Sequence, residues 1–474
     1  MRRLFVTLAV VLLAGCPLGP DYRRPSTPMT ERFRGQGHVE ATSFADLPWW
    51  QAFADPALTA LLKEALDNSF DLKQAAARVE IARANARIST TALLPSIGVE
   101  AGASYQQIFS PFRLPGSTNT GPIRYPLYTL SAPVSWEIDL WGRLRRLRES
   151  ALAEFFASEE NRRAVLVALI GDVAAGYFNL VALDDQLAIA RRTVDARRQT
   201  LDLFATREAG GVGNRLETAA AEANLAGAAA AVPELERRIA EQENQLCLLL
   251  GRTPDRVARA PSLVRAVVPG PQPLGAPSAL LERRPDVRAA AARLVSANAQ
   301  VGAAFASFFP SITFNASGGT SAASIVDLFS TGSLTFAVGL ALGWLAPILN
   351  GYQLVWRYRA SKSGRELAVL DYQRTVLVAL VEVASALVAI DRLRERRAQL
   401  EAEVAARAEA VELSKTRFTN GVASYLEVVQ LEQNLFPAQL LLAEVIGDQF
   451  AAYAQLYRAL GGGWRGPTSA TGKR

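Results

Sequence analysis

The chemistry open to this 474-residue chain is narrow. It holds one histidine, His38, and two cysteines, Cys16 and Cys247. That is too few ligands for a His/Cys zinc site, and it leaves imidazole-based acid–base catalysis without its usual residue. A single pair of thiols builds no disulfide framework. No nucleophile stands beside a base, and the glycine clusters "GGVGN" (210–214) and "LGGGW" (460–464) lack the strand-before-helix setting of a phosphate loop. An enzyme is the reading these residues support least, and no metal or cofactor is expected. The formal charge of +6 comes from 51 Lys and Arg set among 45 Asp and Glu. The charges are dispersed, with no basic arm and no aromatic–basic interleaving. They describe a solvated helical surface rather than a nucleic-acid partner.

One residue does promise covalent chemistry. A short basic segment, "MRR", is followed by an apolar run, Leu4 to Ala14, of secretory length and too short to span a bilayer. The run ends in "LAGC" (13–16), which resembles a bacterial lipoprotein signal. Cleavage would remove residues 1–15 and leave the Cys16 thiol as a site for covalent lipid. Residue 17 is Pro rather than the Asp of an inner-membrane retention signal, so the outer membrane is the expected address.

The chain also repeats itself. "LFATREAGGVGNRLETAAAEANL" (203–225) is answered by "LSKTRFTNGVASYLEVVQLEQNL" (413–435). Arg207, Gly211 and Val212 match Arg417, Gly421 and Val422. Glu222 and Asn224 match Glu432 and Asn434, all at an offset of 210. An earlier pair, 70–97 and 285–312, matches at an offset of 215. Two copies of one architecture follow, 56–265 and 266–463, after a linker at 16–55 and before a tail at 464–474. Each copy reads as a helix stopped by Pro95 or Pro310, a β-hairpin (95–140 or 310–347), and a long helical hairpin.

The helical stretches 143–208 and 352–418 contain no proline and abound in Ala, Leu, Arg and Glu, so each predicts a rod of about 100 Å. "AGGVGN" and "TNGVAS" are the predicted reversals at the tips, near 209–215 and 419–425, with Asn214 and Ser424 available as caps. Arg197 and Arg407, matched at 210, interrupt the apolar seam of the two rods. Either their long stems snorkel along the interface or their charges face a lumen. The most apolar helical runs, 375–390 and 164–183, are interrupted by Glu382 and by Asp172 and Asn179, which predicts packed walls rather than membrane spans.

The strands alternate. Ile97, Val99, Ala101, Ala103 and Tyr105 have polar or small neighbours, as do Leu334, Phe336, Val338, Leu340 and Leu342. Period two with one apolar face, and Trp136, Trp141, Trp344 and Phe308–Phe309 at the strand ends, is the pattern of a membrane β-barrel. The Gly-, Ser- and Thr-rich stretches 107–124 and 318–332 read as loops. Four strands cannot close a barrel, and open edges are not tolerated in lipid. Copies must share one barrel: two would give eight strands, three would give twelve and leave room for a channel.

Together these features resemble the outer membrane factors of Gram-negative bacteria, the TolC-like exit ducts, in their lipoprotein branch. The carriers are "LAGC", "GPDYRRP" (19–25), "SWEIDLWGR" (135–143), "ERRPDV" (282–287), "FFPSI" (308–312) and the duplicated tip phrase. The resemblance implies an all-α chain with a membrane β-barrel: a homotrimer whose twelve-stranded outer-membrane barrel is continued by a periplasmic α-helical barrel. It implies an efflux channel that docks a periplasmic adaptor and an inner-membrane pump, with the same duct in protein secretion, or a non-conducting scaffold, as alternatives. It places a gate at Leu426, Glu427 and Gln430, with Gln430 where relatives often have a carboxylate. It places adaptor docking at Arg207, Gly211, Val212, Arg417, Gly421 and Val422.

Overall fold

Two proline-free stretches become the longest elements of the chain. The computed structural model describes residues 18–27, 29–34, 42–53, 55–108, 122–264, 272–343, 350 and 352–463. In order, its main elements are α1 (Pro56–Asn68), α2 (Phe70–Thr91), β1 (Ser96–Ile97), β2 (Glu100–Ile108), β3 (Ile123–Ile138), α3 (Arg143–Ala209) and α4 (Arg215–Leu250). Then follow α5 (Pro285–Ala306), β4 (Ser311–Ala322), β5 (Leu334–Gly343), α6 (Gln353–Thr419) and α7 (Tyr425–Ala459). Helices α3 and α6 are each 67 residues long. Cys16 and Trp344 lie outside the described residues.

The chain divides into two units. One, Met1–Pro25, Val79–Ser158 and Ala290–Tyr372, contains the whole sheet. Its antiparallel order is β2–β3–β4–β5, with β1 paired to β3 ahead of β2. β1 and β2 keep one register along β3, since Ser96 faces Ser135 and Glu100 faces Ser131. Between them Gly98 N donates to Pro133 O at 2.9 Å, and Pro133 has no N–H to return. The ladder breaks there. β4 continues through Gly318–Ala322, a stretch whose composition predicted a loop; backbone pairing to both neighbours overrides side-chain propensity.

Register sorts the side chains by face. Ile97, Val134, Ala316 and Val338 lie in one row across the strands, and Trp136, Phe314 and Leu340 in another. The opposite face offers Ser96, Ser135, Asn315 and Gly339, with a 2.9 Å hydrogen bond from Ser135 Oγ to Asn315 Oδ1. On β5, Leu334, Phe336, Val338, Leu340 and Leu342 are 55% to 81% exposed. Each such side chain gains about 1.5–3 kcal/mol on full burial, so a single chain leaves a large driving force unused.

The quoted motifs set the joints of this unit. In "SWEIDLWGR", Arg143 forks onto Glu137, and Asp139 accepts the N–H groups of Leu144 (3.0 Å) and Arg145 (2.9 Å), capping α3. Trp141 stacks on Phe309 with ring centroids 4.9 Å apart and donates to Pro310 O at 2.8 Å. Just before "GPDYRRP", Leu18 N donates to Trp141 O at 3.1 Å; within it, Pro20 O accepts from Asn298 Nδ2 at 2.8 Å, and Arg24 Nε donates to Tyr372 Oη at 3.0 Å. A Cβ on Gly19 would sit 2.4 Å from Gly302 Cα, so this close crossing demands glycine.

The other unit, Ser26–Arg78, Glu159–Ala289 and Gln373–Arg474, holds the ends of both long helices together with α4 and α7. By length and composition α3 could cross a membrane, yet 56% of its apolar window is buried. Val173, Ala174, Tyr177, Leu180 and Val181 are wholly covered, as the core face of a bundle helix is. In "ERRPDV", the buried Arg284 bridges Asp286 (2.6 Å), Glu382 (2.6 Å) and Ala459 O (2.9 Å).

Candidate functional site at the helical tips

The two reversals share one backbone solution. At the first, Gly211 N donates to Glu208 O at 3.0 Å and Val212 N to Arg207 O at 3.0 Å. At the second, Gly421 N donates to Phe418 O at 2.9 Å and Val422 N to Arg417 O at 3.0 Å. This is the paired bonding of a Schellman turn, which needs a left-handed residue just beyond the helix. Gly211 (φ 73°) and Gly421 (φ 75°) supply it. A Cβ at either would meet nothing within 4 Å, so conformation rather than crowding selects glycine.

The side chains do not repeat. Asn214 caps α4 by accepting Glu217 N at 3.0 Å, whereas Ser424 makes no side-chain cap for α7, contrary to expectation. Beneath the turns Phe204, Ala221, Tyr425, Val428 and Val429 form a buried cluster with Phe418 packed on it. The Phe204 and Tyr425 rings lie 4.0 Å apart. Arg207 stands over Phe204 (5.8 Å) and Phe418 (5.9 Å), joining the first tip to the second through cation–π contacts. Burial pushes the Tyr425 phenol above its usual pKa.

The predicted docking residues therefore gather on two adjoining turns, where Val212 and Val422 are 73% and 69% exposed. A Schellman turn usually covers that residue with an apolar one three places before the cap, but Arg207 and Arg417 stand there, so each valine is left bare. Of the predicted gate, Leu426 and Gln430 are one helical turn apart on an exposed face of α7. Glu427 instead pairs with Arg417 of its own hairpin at 3.6 Å. Both side chains are about half exposed, which limits that pair to about 1 kcal/mol.

Arg197 and Arg407 separate. Arg197 neither snorkels nor faces open water: it is 5% exposed. It donates to Asn224 O (2.7 Å) and Glu432 O (3.1 Å), and its guanidinium lies 5.3 Å from the Phe436 ring. Burial lowers its pKa, and the neighbouring Glu432 carboxylate works against that shift. Asn224 Nδ2 donates to Glu432 at 3.2 Å, and Lys415 pairs with Glu432 at 3.3 Å. Arg407 turns back to Glu403 on its own helix at 2.8 Å. Sequence reasoning missed the aromatic cluster and this node. Aromatics seven before Gly211, three before Gly421 and four after it were the signal available for the first. Among the described residues no group of His, Cys, Asp or Glu could hold a metal.

The family profile described as "Outer membrane efflux protein" matches residues 61–252 and 276–462. The chain is 33% identical over 472 residues to the solvent efflux pump outer membrane protein SrpC of Pseudomonas putida, covering 96% of this chain and 97% of that one. It is 32% identical over 467 residues to the outer membrane protein OprJ of Pseudomonas aeruginosa, covering 96% and 95%. The open-state structure of the Neisseria gonorrhoeae MtrE outer membrane channel superposes with a TM-score of 0.84 at 30% identity, covering 95% of this chain and 99% of that one. Such channels are trimers with a β-barrel and a helical barrel, and need no cofactor. With its exposed apolar sheet, its paired helical tips and a profile match over most of its length, the chain belongs to the outer membrane efflux protein family and is an efflux channel of the outer membrane.

Proposed function

We propose that three copies of this chain enclose a passive exit duct without enzymatic activity, through which small apolar toxic compounds leave the cell. The observation that supports it most is the sheet. It presents one continuous apolar face and, among the described residues, two free edges, which lipid tolerates only when they close on further copies. Twelve strands from three chains close such a barrel around water. SrpC is named for solvent efflux, and that cargo class suits a pore that supplies no chemistry.

In this reading residues 1–15 are removed, Cys16 is acylated, and the lipid anchors the N-terminus in the outer membrane. The copies 56–265 and 266–463 each supply one strand pair and one helical hairpin reaching into the periplasm. A periplasmic adaptor, fed by an inner-membrane pump, grips the tips at Arg207, Gly211, Val212, Arg417, Gly421 and Val422. The bare valines suit an apolar contact ringed by arginines. Leu426 and Gln430 narrow the entrance, and Glu427 steadies the turn through Arg417 rather than acting as a free charge.

Cells lacking the protein should accumulate several-fold more of an apolar dye and lose solvent tolerance, both restored by the wild-type chain. Unchanged accumulation across many solvents and dyes would contradict the duct. Leu426→Ser should raise single-channel current in planar bilayers; an unaltered current would remove Leu426 from the gate.

A further inference from the structure

Arg197 and Asn224 come from the first copy of the repeat, and Glu432 comes from the second. Together they form a buried polar node between the two hairpins of one chain, through the 2.7, 3.1 and 3.2 Å bonds given above. Each member has a mate 210 residues away: Arg407, Asn434 and Glu222. Within the chain the mates form no such node. Arg407 turns back to Glu403, Glu222 is held by Arg215 at 3.0 Å, and Asn434 is exposed although Asn224 is buried.

The faces account for this. The first hairpin turns Arg197 and Asn224 toward the second, and the second turns Glu432 toward the first. What remains is a Glu222 face on the first hairpin and an Arg407–Asn434 face on the second. In a closed ring of alternating first and second hairpins, those two faces meet between neighbouring copies. We propose that Arg407 and Asn434 of one copy and Glu222 of the next form an intersubunit version of the node. Arg407 donates to the main-chain carbonyls of Asn434 and of Glu222 in the neighbouring copy, and the Asn434 amide donates to that same Glu222 carboxylate. The partner this surface fits is thus a second copy of the chain, and the proposal rests on the three-copy ring.

The two versions differ in cover. Phe436 and Lys415, which lie against the intrachain node, correspond to Ala226 and Ala205. The intersubunit node lacks the aromatic face, and its second cation is the exposed Arg215 on Glu222 rather than a half-covered lysine, so it is wetter and more sensitive to salt.

Crosslinking in outer membranes tests this directly. The full-length chain carrying Asn434→Cys and Glu222→Cys is treated with a short bis-maleimide and run on a denaturing gel. Covalent dimers and trimers are expected, while the intrachain pair Asn224→Cys and Glu432→Cys should remain monomeric, as should each single-cysteine variant. Cys247 is buried and common to all. Monomers alone from the first pair, in a protein that still sizes as three copies in mild detergent, would overturn the node. A particle of one copy would overturn the ring, and the node with it.

Discussion

The two helical tips share a backbone and little else. Both close with the same pair of hydrogen bonds, within 0.1 Å of one another, around a left-handed glycine. Yet the aromatic cluster beneath them draws Phe204 from the first copy and Phe418 and Tyr425 from the second, where the matched residues are Ser414, Glu208 and Arg215. Arg197 is buried in a polar node and its mate Arg407 lies on a surface. Duplication preserved what the chain must do locally to reverse direction. What each side chain faces has since diverged, because the first hairpin lies against the second on one side only.

The largest expected break in this comparison is at the aromatic cluster. Tyr425→Ala should destabilise the tips by about 3–5 kcal/mol, the usual cost of emptying a buried aromatic site. Arg215→Ala, at the matching exposed position, should leave the tip amides as protected as in the wild type. Hydrogen exchange of the tip amides reports both, and equal losses would erase the distinction. Next comes the node. Arg197→Ala removes two charge-assisted bonds and should cost about 2–3 kcal/mol of hairpin stability, against less than about 0.5 kcal/mol for Arg407→Ala, read from amide protection along each hairpin. The two glycines sharpen the comparison from the other side. Gly211→Ala and Gly421→Ala should each cost about 1–2 kcal/mol, and equally, since only the left-handed backbone penalises them. Unequal protection losses would mean that the turns are not equivalent. The smallest contrast lies at the caps. Asn214→Ala should cost about 1 kcal/mol and Ser424→Ala almost nothing, as helix content on mild heating would show.

Much of this was legible in the residues. Period-two alternation marks the apolar rows of the sheet, and the proline-free stretches mark the long helices. The repeated glycine phrase marks the turns, because each feature is local and its period is written along the chain. The break between β1 and β2 was not legible, since its cause, Pro133, sits on the neighbouring strand. The return helices expected at about 214–250 and 424–460 run on through Pro233 and Pro437 as α4 and α7. The candidate tip residues could be named from the duplicated phrase. The pairing of Glu427 with Arg417, the bare cap position of Ser424 and the burial of Arg197 could not, because they depend on which hairpin each side chain meets.

The central claim is that one chain supplies only part of a closed wall. The polypeptide mass of the detergent-solubilised particle, measured by light scattering with the detergent contribution removed, tests it most directly. Three chains per particle is the predicted result; a particle holding a single chain would contradict it.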